Sequence, residues 1–195
     1  MNLQLRSDIL IWLQSNVPES RIRHILRVEA MSADLARHHN VDPDKAAQAG
    51  LMHDLAKFFK PDRLLAMAEH DGLVLDTIDR AVPHLLHADV GAMVARDEFG
   101  ITDDSILNAI ANHTLGKPGM DPLSCILFLA DSLEPGRGKT DELETLRALS
   151  FSNLKAAVWR TADYGLQYLL RSDQLIHPRT VITRNWFLQE VSSHT

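Results

Sequence analysis

Apolar residues recur three and four positions apart along almost the whole chain, with polar residues between them, which is the period of an α-helix packed on one face. The pattern predicts an opening helix over Asp8 to Gln14, closed near Pro18, then a long helix from Glu19 to His38 whose stripe runs His24, Val28, Met31, Leu35. Asp42 as N-cap with Pro43 at the first helical position starts a third, expected to reach about Phe59, and Pro61 opens another that Gly72 closes. Pro83 to Phe99 reads as helical, ending at Gly100, and Thr102 or Asp103 caps a helix through Asn112. After the tight loop Gly116-Lys117-Pro118-Gly119, Asp121-Pro122 starts a helix to about Leu133 that Pro135-Gly136 stops. Asp141 and Glu144 form a capping box for a short helix, Ser150 caps a long one to about Arg171, and Pro178 starts the last. The only strand-like run, Leu73-Val74-Leu75, is too short to matter, so the expected fold is an all-α helical bundle.

Composition narrows this picture. A chain of 195 residues with 45% hydrophobic content can bury one sizeable core, and no Gly/Ser/Pro-rich linker divides it, so residues 1–195 are expected to form a single domain. A net charge of -6 argues against a nucleic-acid binder and requires that basic residues be clustered locally if the substrate is anionic. The single cysteine, Cys125, cannot form an internal disulfide and reads as core packing in a reducing compartment. No apolar run approaches the roughly 20 residues that span a bilayer, and the first 13 residues lack a leader pattern, so a soluble cytoplasmic protein without a membrane partner is expected.

Polar residues on the apolar stripes carry the chemistry. In Gly50-Leu51-Met52-His53-Asp54-Leu55-Ala56-Lys57, Asp54 lies in phase with Leu51, Gly50 and Ala47 on the face turned to the core. An unpaired carboxylate there would cost several kcal/mol. A cation beside His53 would remove that cost, and so would an Asp54–Lys57 ion pair beside a core histidine; the octet alone leaves the two readings level. The other stripes break the tie. His24, His87, His113 and Asp131 point inward on four further helices by the same phase. One shared cation satisfies all of these groups together, whereas otherwise each needs its own partner. Imidazole and carboxylate without thiolate suit iron, manganese or zinc better than magnesium or calcium.

The order His24, His53-Asp54, Asp131 resembles the HD-domain metal-dependent phosphohydrolases. A longer series is similar to the bacterial symmetrical bis(5′-nucleosyl)-tetraphosphatases of the YqeK family. It comprises Arg21-x-x-His24, His53-Asp54-x-x-Lys57, Leu85-Leu86-His87-x-x-Val90-Gly91-Ala92, Asn112-His113-Thr114-x-Gly116, Leu129-Ala130-Asp131-x-x-Glu134-Pro135-Gly136-Arg137 and Ile176-His177-Pro178-x-Thr180. The resemblance implies an HD-domain bundle with a metal in its core, hydrolysing diadenosine tetraphosphate to two ADP with iron as the metal. It implies His24, His53, Asp54 and Asp131 as ligands, with His24, Asp54 and Asp131 in contact with the substrate as well. His87, His113, Thr114 and Arg137 would touch phosphates, and Ile176, His177, Pro178, Arg179, Thr180 and Val181 would close the nucleotide pocket. Ser132 stands where that family often has lysine, and Leu115 where it has a small or hydroxyl residue, which bears on substrate preference.

The same chemistry follows from the residues. A phosphoanhydride repels anionic nucleophiles, so its hydrolysis needs a metal to acidify water and cations to absorb charge. Asp54 is the candidate to orient the attacking water; Lys57, Arg137 and Lys117 are candidates for the cations, with Lys57 placed beside Asp54 as a catalytic group. His84 is either a supporting or acid group or a solvent-facing residue; His38, His39, His70 and His194 read as surface residues. His87 and His113 could instead hold a second ion, so one or two ions are compatible with the residues. Another HD-type nucleotidase or phosphodiesterase is the alternative activity, and a helical binding module without chemistry is a third reading. A small nucleotide is the expected partner, and a homodimer is the one assembly allowed for.

Overall fold

A computed structural model describes residues 2–193. Eleven α-helices and two short 3-10 turns make up the regular structure, and no strand occurs among the described residues. The helix α1 (Leu3–Asn16) starts five residues earlier than the sequence pattern predicts, because the Asn2 side chain accepts from Leu5 N at 2.7 Å and caps it. It is fastened to α2 (Glu19–His38) by Arg6, whose guanidinium donates twice to Glu29 at 2.8 and 2.9 Å. Asp42 caps α3 (Pro43–Met52) as expected. The helices α2 and α3 run close together because small residues line the seam. A Cβ on Gly50 would lie 2.9 Å from Glu29 Cα, so this glycine sets the distance between the two helices that carry His24 and His53.

The chain continues through α4 (Pro61–His70), the five-residue α5 (Thr77–Ala81), a 3-10 turn at Pro83–Leu86 and α6 (His87–Phe99). Helix α5 lies in a stretch that the sequence pattern predicts to be loop. It is held by a reciprocal capping box in which Asp76 and Asp79 each accept the other's backbone N–H. Helix α7 (Asp104–Asn112) follows with Asp103 as cap, then α8 (Pro122–Leu133). Nine of the twelve residues of α8 are buried, and it packs against α2, α3, α7 and α10 as the central helix. Three helices complete the fold: α9 (Asp141–Ser152), α10 (Leu154–Arg171) and α11 (Pro178–Ser192).

Two predicted caps are corrected. Thr140, not Asp141, caps α9, accepting from Leu143 N at 3.3 Å. Ser150 is buried inside α9, and Asn153 caps α10, accepting from Ala156 N at 3.0 Å. The Ser150 carbonyl faces His39 Nε2 at 2.7 Å, so His39 is a partly buried bonding residue and not a free surface one. His194 lies outside the described residues.

The third helix also ends earlier than expected. It stops at Met52, and residues 53–59 continue as tight turns closed by Leu55 N to Met52 O, Lys57 N to Asp54 O and Phe59 N to Ala56 O. His53 Nδ1 donates to the Gly50 carbonyl at 2.7 Å, competing for the oxygen that the next helical N–H would use. The same device recurs: His113 sits at the C-cap of α7 with Nδ1 on the Ile110 carbonyl at 2.7 Å. His87 sits where the 3-10 turn becomes α6, with Nδ1 on the His84 carbonyl at 2.6 Å.

Candidate metal centre

The polar residues that the sequence placed inward meet at one point beneath α8. His24 comes from α2, His53 and Asp54 from the end of α3, His87 from the start of α6, His113 from the end of α7 and Asp131 from the last turn of α8. Four of their imidazoles form a chain of neighbouring rings, with centroids 5.3 Å apart for His24–His53, 5.0 Å for His53–His113 and 5.1 Å for His87–His113. His24, His53, Asp54, His87 and His113 are buried, and the Asp131 side chain keeps 19% exposure on the open side.

The Nδ1 partners set the tautomers. His53, His87 and His113 donate from Nδ1 to backbone carbonyls, and His24 Nδ1 lies 3.0 Å from Glu134 Oε1. In the neutral form that a metal ligand takes, each ring therefore turns a bare Nε2 inward. His24 Nε2 is 3.0 Å from Asp131 Oδ1 and 3.8 Å from Asp54 Oδ2; His53 Nε2 is 3.2 Å from Asp54 Oδ2 and 3.8 Å from Asp131 Oδ1. These are lone pairs facing carboxylate oxygens, and both nitrogens are buried without a hydrogen-bond partner. Such an arrangement repels itself unless a positive charge lies between the atoms, so the residues fit a divalent cation. The ligand atoms of His24, His53 and Asp131 lie within 4.8 Å of one another, as do those of His53, Asp54 and His113.

Beside this group a second set of contacts forms. Lys57 Nζ is 3.1 Å from His87 Nε2, and the Thr114 hydroxyl lies 3.2 Å from His87 Nε2 and 3.1 Å from His113 Nε2. Burial, then His113 and Lys57, push the His87 imidazole well below its ordinary pKa; burial and His53 push His113 down to about 4, so both rings are neutral acceptors near pH 7. Burial also lowers the Lys57 ammonium, against the pull of Asp54. For Asp54 and Asp131 burial opposes ionisation, yet His53 beside Asp54 and the His24 contact at Asp131 outweigh it and hold both carboxyls well below the usual range.

Two arginines complete the rim. Arg21 donates to Asp54 Oδ2 at 3.1 Å, and Arg137 donates to Asp131 through its side-chain oxygen at 2.6 Å and its carbonyl at 2.8 Å. The sequence reading gave Arg21 no role, although its spacing of three from His24 on α2 places both on one face. Glu134, present in the resembled series but without a role there, is a buried carboxylate just before the Pro135-Gly136 break, which Arg27 grips with both guanidinium arms. Burial opposes its ionisation, but the bonds from Arg27 and His24 outweigh that and bring the Glu134 pKa down to about 2.

The chain matches the HD domain model over residues 21–136, a span containing every one of these groups except Arg137. The chain belongs to the HD-domain family. It is 30% identical over 183 residues to the symmetrical bis(5′-nucleosyl)-tetraphosphatase of Bacillus subtilis (strain 168), covering 94% of this chain and 97% of that one. It is 33% identical over 185 residues to the symmetrical bis(5′-nucleosyl)-tetraphosphatase of Halalkalibacterium halodurans, covering 95% and 98%. A solved structure from Clostridium acetobutylicum, described as a predicted HD superfamily hydrolase involved in NAD metabolism, superposes with a TM-score of 0.90 at 31% identity, covering 94% of this chain and 97% of that one. No helix among the described residues of this HD-domain protein is long and apolar enough to cross a membrane.

Beyond Thr114 and Arg137 the HD centre opens into a cavity of about 460 Å³, walled by Leu115, Phe128, Ser132, Tyr164, Tyr168 and Thr180 among others. Both positions that depart from the resembled family, Ser132 and Leu115, are on that wall. Of the segment from Ile176 to Val181, Thr180 reaches the cavity. His177 turns instead to α5, with Nε2 3.3 Å from Asp76 Oδ2 and 3.3 Å from Asp79 Oδ1. Arg179 turns to the loop after α7, donating to the Gly116, Ala111 and Asn112 oxygens at 2.6, 2.8 and 3.1 Å, and to Asp89 at 3.3 Å. Pro178 borders a separate surface cleft with Lys117, and Val181 is exposed. His84 is exposed, stacked on His87 with the rings 5.1 Å apart. Gly116 needs its glycine twice over: its φ is +67°, and a Cβ would lie 2.5 Å from the Thr183 methyl carbon.

Proposed function

We propose that this protein hydrolyses diadenosine tetraphosphate symmetrically to two ADP, using one divalent cation, iron, held by His24, His53, Asp54 and Asp131. The observation that carries the reading is the sequence of environments along one line: a cation-shaped cluster of imidazoles and carboxylates, a rim of Lys57, Thr114 and Arg137, and then an apolar cavity of about 460 Å³ with aromatic walls. That volume suits a nucleoside, and the rim suits a polyphosphate leading to it. The similarity to enzymes named symmetrical bis(5′-nucleosyl)-tetraphosphatase supports the substrate.

When bound, the cation lowers the pKa of water and offsets phosphate charge. The chain supplies the rest. Asp54 has one oxygen toward the ligand nitrogens and the other 3.6 Å from His87 Nε2, a position from which it accepts a proton and aligns an attacking water. Lys57 gives a positive charge at His87 Nε2, the atom that a second ion on this ring would use, which favours a single ion. Arg137 exchanges part of its hold on Asp131 for a phosphate oxygen, and Thr114 donates its hydroxyl to the next one. A nucleoside anchored in the cavity then presents its second phosphorus to the water, and a diphosphate leaves as a weak base that needs little protonation. His87, His113, Thr114, Thr180 and Arg137 are the substrate contacts in this reading, and a small nucleotide in a reducing cytoplasm is the partner. His177 and Arg179 hold the pocket wall in place.

Chromatography of products from diadenosine tetraphosphate with ferrous iron, without air, tests the proposal. Two ADP are expected, with oxygen-18 from water in one of them per turnover. AMP plus ATP, or rapid hydrolysis of a nucleoside monophosphate with none of the tetraphosphate, would replace it with the nucleotidase reading.

A further inference from the structure

Among the four imidazoles of the centre, His24 is held differently. His53, His87 and His113 give their Nδ1 protons to neutral backbone carbonyls of their own chain segment, whereas His24 gives its proton to a carboxylate 110 residues away, Glu134 Oε1 at 3.0 Å. Glu134 is 1% exposed and fully engaged. Arg27, one turn along α2 from His24, grips both its oxygens, and Gly136 N donates to Oε2 at 2.5 Å. Arg147 locks the backbone around it, donating to the Leu133, Glu134 and Gly138 carbonyls at 2.7, 3.2 and 2.8 Å.

We infer that Glu134 is a positioning residue for the metal: it fixes His24 in the Nδ1–H tautomer, gives that ligand a carboxylate partner where the other three have carbonyls, and ties it to Arg137. A carboxylate partner raises the donor strength of a ligand imidazole more than a carbonyl does, because the Nδ1–H is polarised by a full negative charge. The link to Arg137 is mechanical. The bond from Gly136 N to Glu134 Oε2 closes the 3-10 turn Pro135–Arg137, which delivers the guanidinium to Asp131. One side chain thus sets the aim of a ligand on α2 and of the phosphate-facing arginine after α8. Arg27 counterbalances the charge, and Gly136 makes room for it, since a Cβ there would run into the Arg27 guanidinium.

This inference rests on the reading of His24 as a metal ligand, and binding of Mn²⁺ by the full chain separates the two. Titration calorimetry of the wild type, Glu134→Gln and Glu134→Ala should give a dissociation constant about 10-fold weaker for Gln and roughly 100-fold weaker for Ala. Turnover of both should recover toward the wild-type kcat at saturating Mn²⁺, with KM for the tetraphosphate still raised because the arginine turn is loosened. A merely structural glutamate would shift the melting temperature and leave the constant where it was. Equal Mn²⁺ affinity in wild type and Glu134→Gln overturns the inference alone; a wild type that binds no Mn²⁺ overturns the ligand reading with it. The wild type supplies a further check that no substitution can spoil. In Zn²⁺-loaded protein, long-range proton–nitrogen correlation should show His24 protonated at Nδ1 and ligated through Nε2, and ligation through Nδ1 would overturn the assignment.

Discussion

Two places in this molecule bring a buried histidine against a pair of carboxylates, and they do opposite things. At the centre, His24 faces Asp54 and Asp131; at the edge, His177 faces Asp76 and Asp79 with oxygens at 3.3 Å. By ligand type and distance both could hold a cation. The difference lies on the far side of each ring. His24 Nδ1 meets an acceptor, so its proton is there and Nε2 is bare. His177 Nδ1 accepts from Arg179 N at 3.0 Å as the N-cap of α11, so the proton of the neutral ring sits on Nε2, 3.3 Å from an oxygen of each aspartate. In the proposed reading the edge cluster is a latch between α5 and α11, and the central one a ligand set. The partner of the outer nitrogen, not the company of the inner one, decides which.

The largest effect that could break this comparison comes from Asp54. Asp54→Ala should reduce metal content to background and remove measurable turnover while circular dichroism stays close to wild type, because the centre occupies one corner of a large apolar core. Equal metal occupancy in wild type and the double variant His53→Ala/Asp54→Ala would show that the central set is no ligand set. A smaller effect is expected at Arg137. Its replacement by Lys keeps the charge but loses the paired donors, so kcat/KM should fall roughly tenfold, the cost of one charge-assisted bond, with metal content unchanged. Unaltered kinetics would mean that this arginine serves Asp131 alone. The smallest effect belongs to the latch. His177→Ala should cost about 1 kcal/mol through the lost cap, lowering the melting temperature by roughly 2–4 °C, with full metal content and a raised KM from a loosened Thr180 wall. Loss of metal in that variant would erase the distinction between the two clusters.

Much of this was readable in the chain. Asp42-Pro43, Asp121-Pro122 and Pro178 marked helix starts that the structure has at those residues, because proline at the first turn and aspartate before it act locally. The all-α fold and the inward placement of His24, Asp54, His87, His113 and Asp131 followed from helical phase, and the HD-domain assignment from the resemblance of the order His24, His53-Asp54, Asp131 to that family. What escaped was set by side chains acting on the backbone or across long separations. Helix α3 stops at Met52 because His53 takes a carbonyl, which phase alone does not reveal. The short α5 escaped because its capping box is built from two aspartates in a run that otherwise reads as loop. The distant partners of Arg179 and Glu134 lie 63 to 110 residues away, beyond any periodic signal, and those of His177 lie as far off on α5.

The carbonyl anchors of His53, His87 and His113 carry an evolutionary consequence. A peptide oxygen is the same whatever residue bears it, so substitution at position 84 or 110 leaves the acceptor itself in place, and position 50 is already held as glycine by the close approach of Glu29. Three of the four imidazoles are thereby insulated from drift in their supporting partners. Only His24 hangs on a side chain that a single codon change can replace. Variation in how tightly related chains hold their ion, or which ion they take, should therefore be concentrated at positions 134 and 27, which act as the one adjustable screw on an otherwise fixed mount.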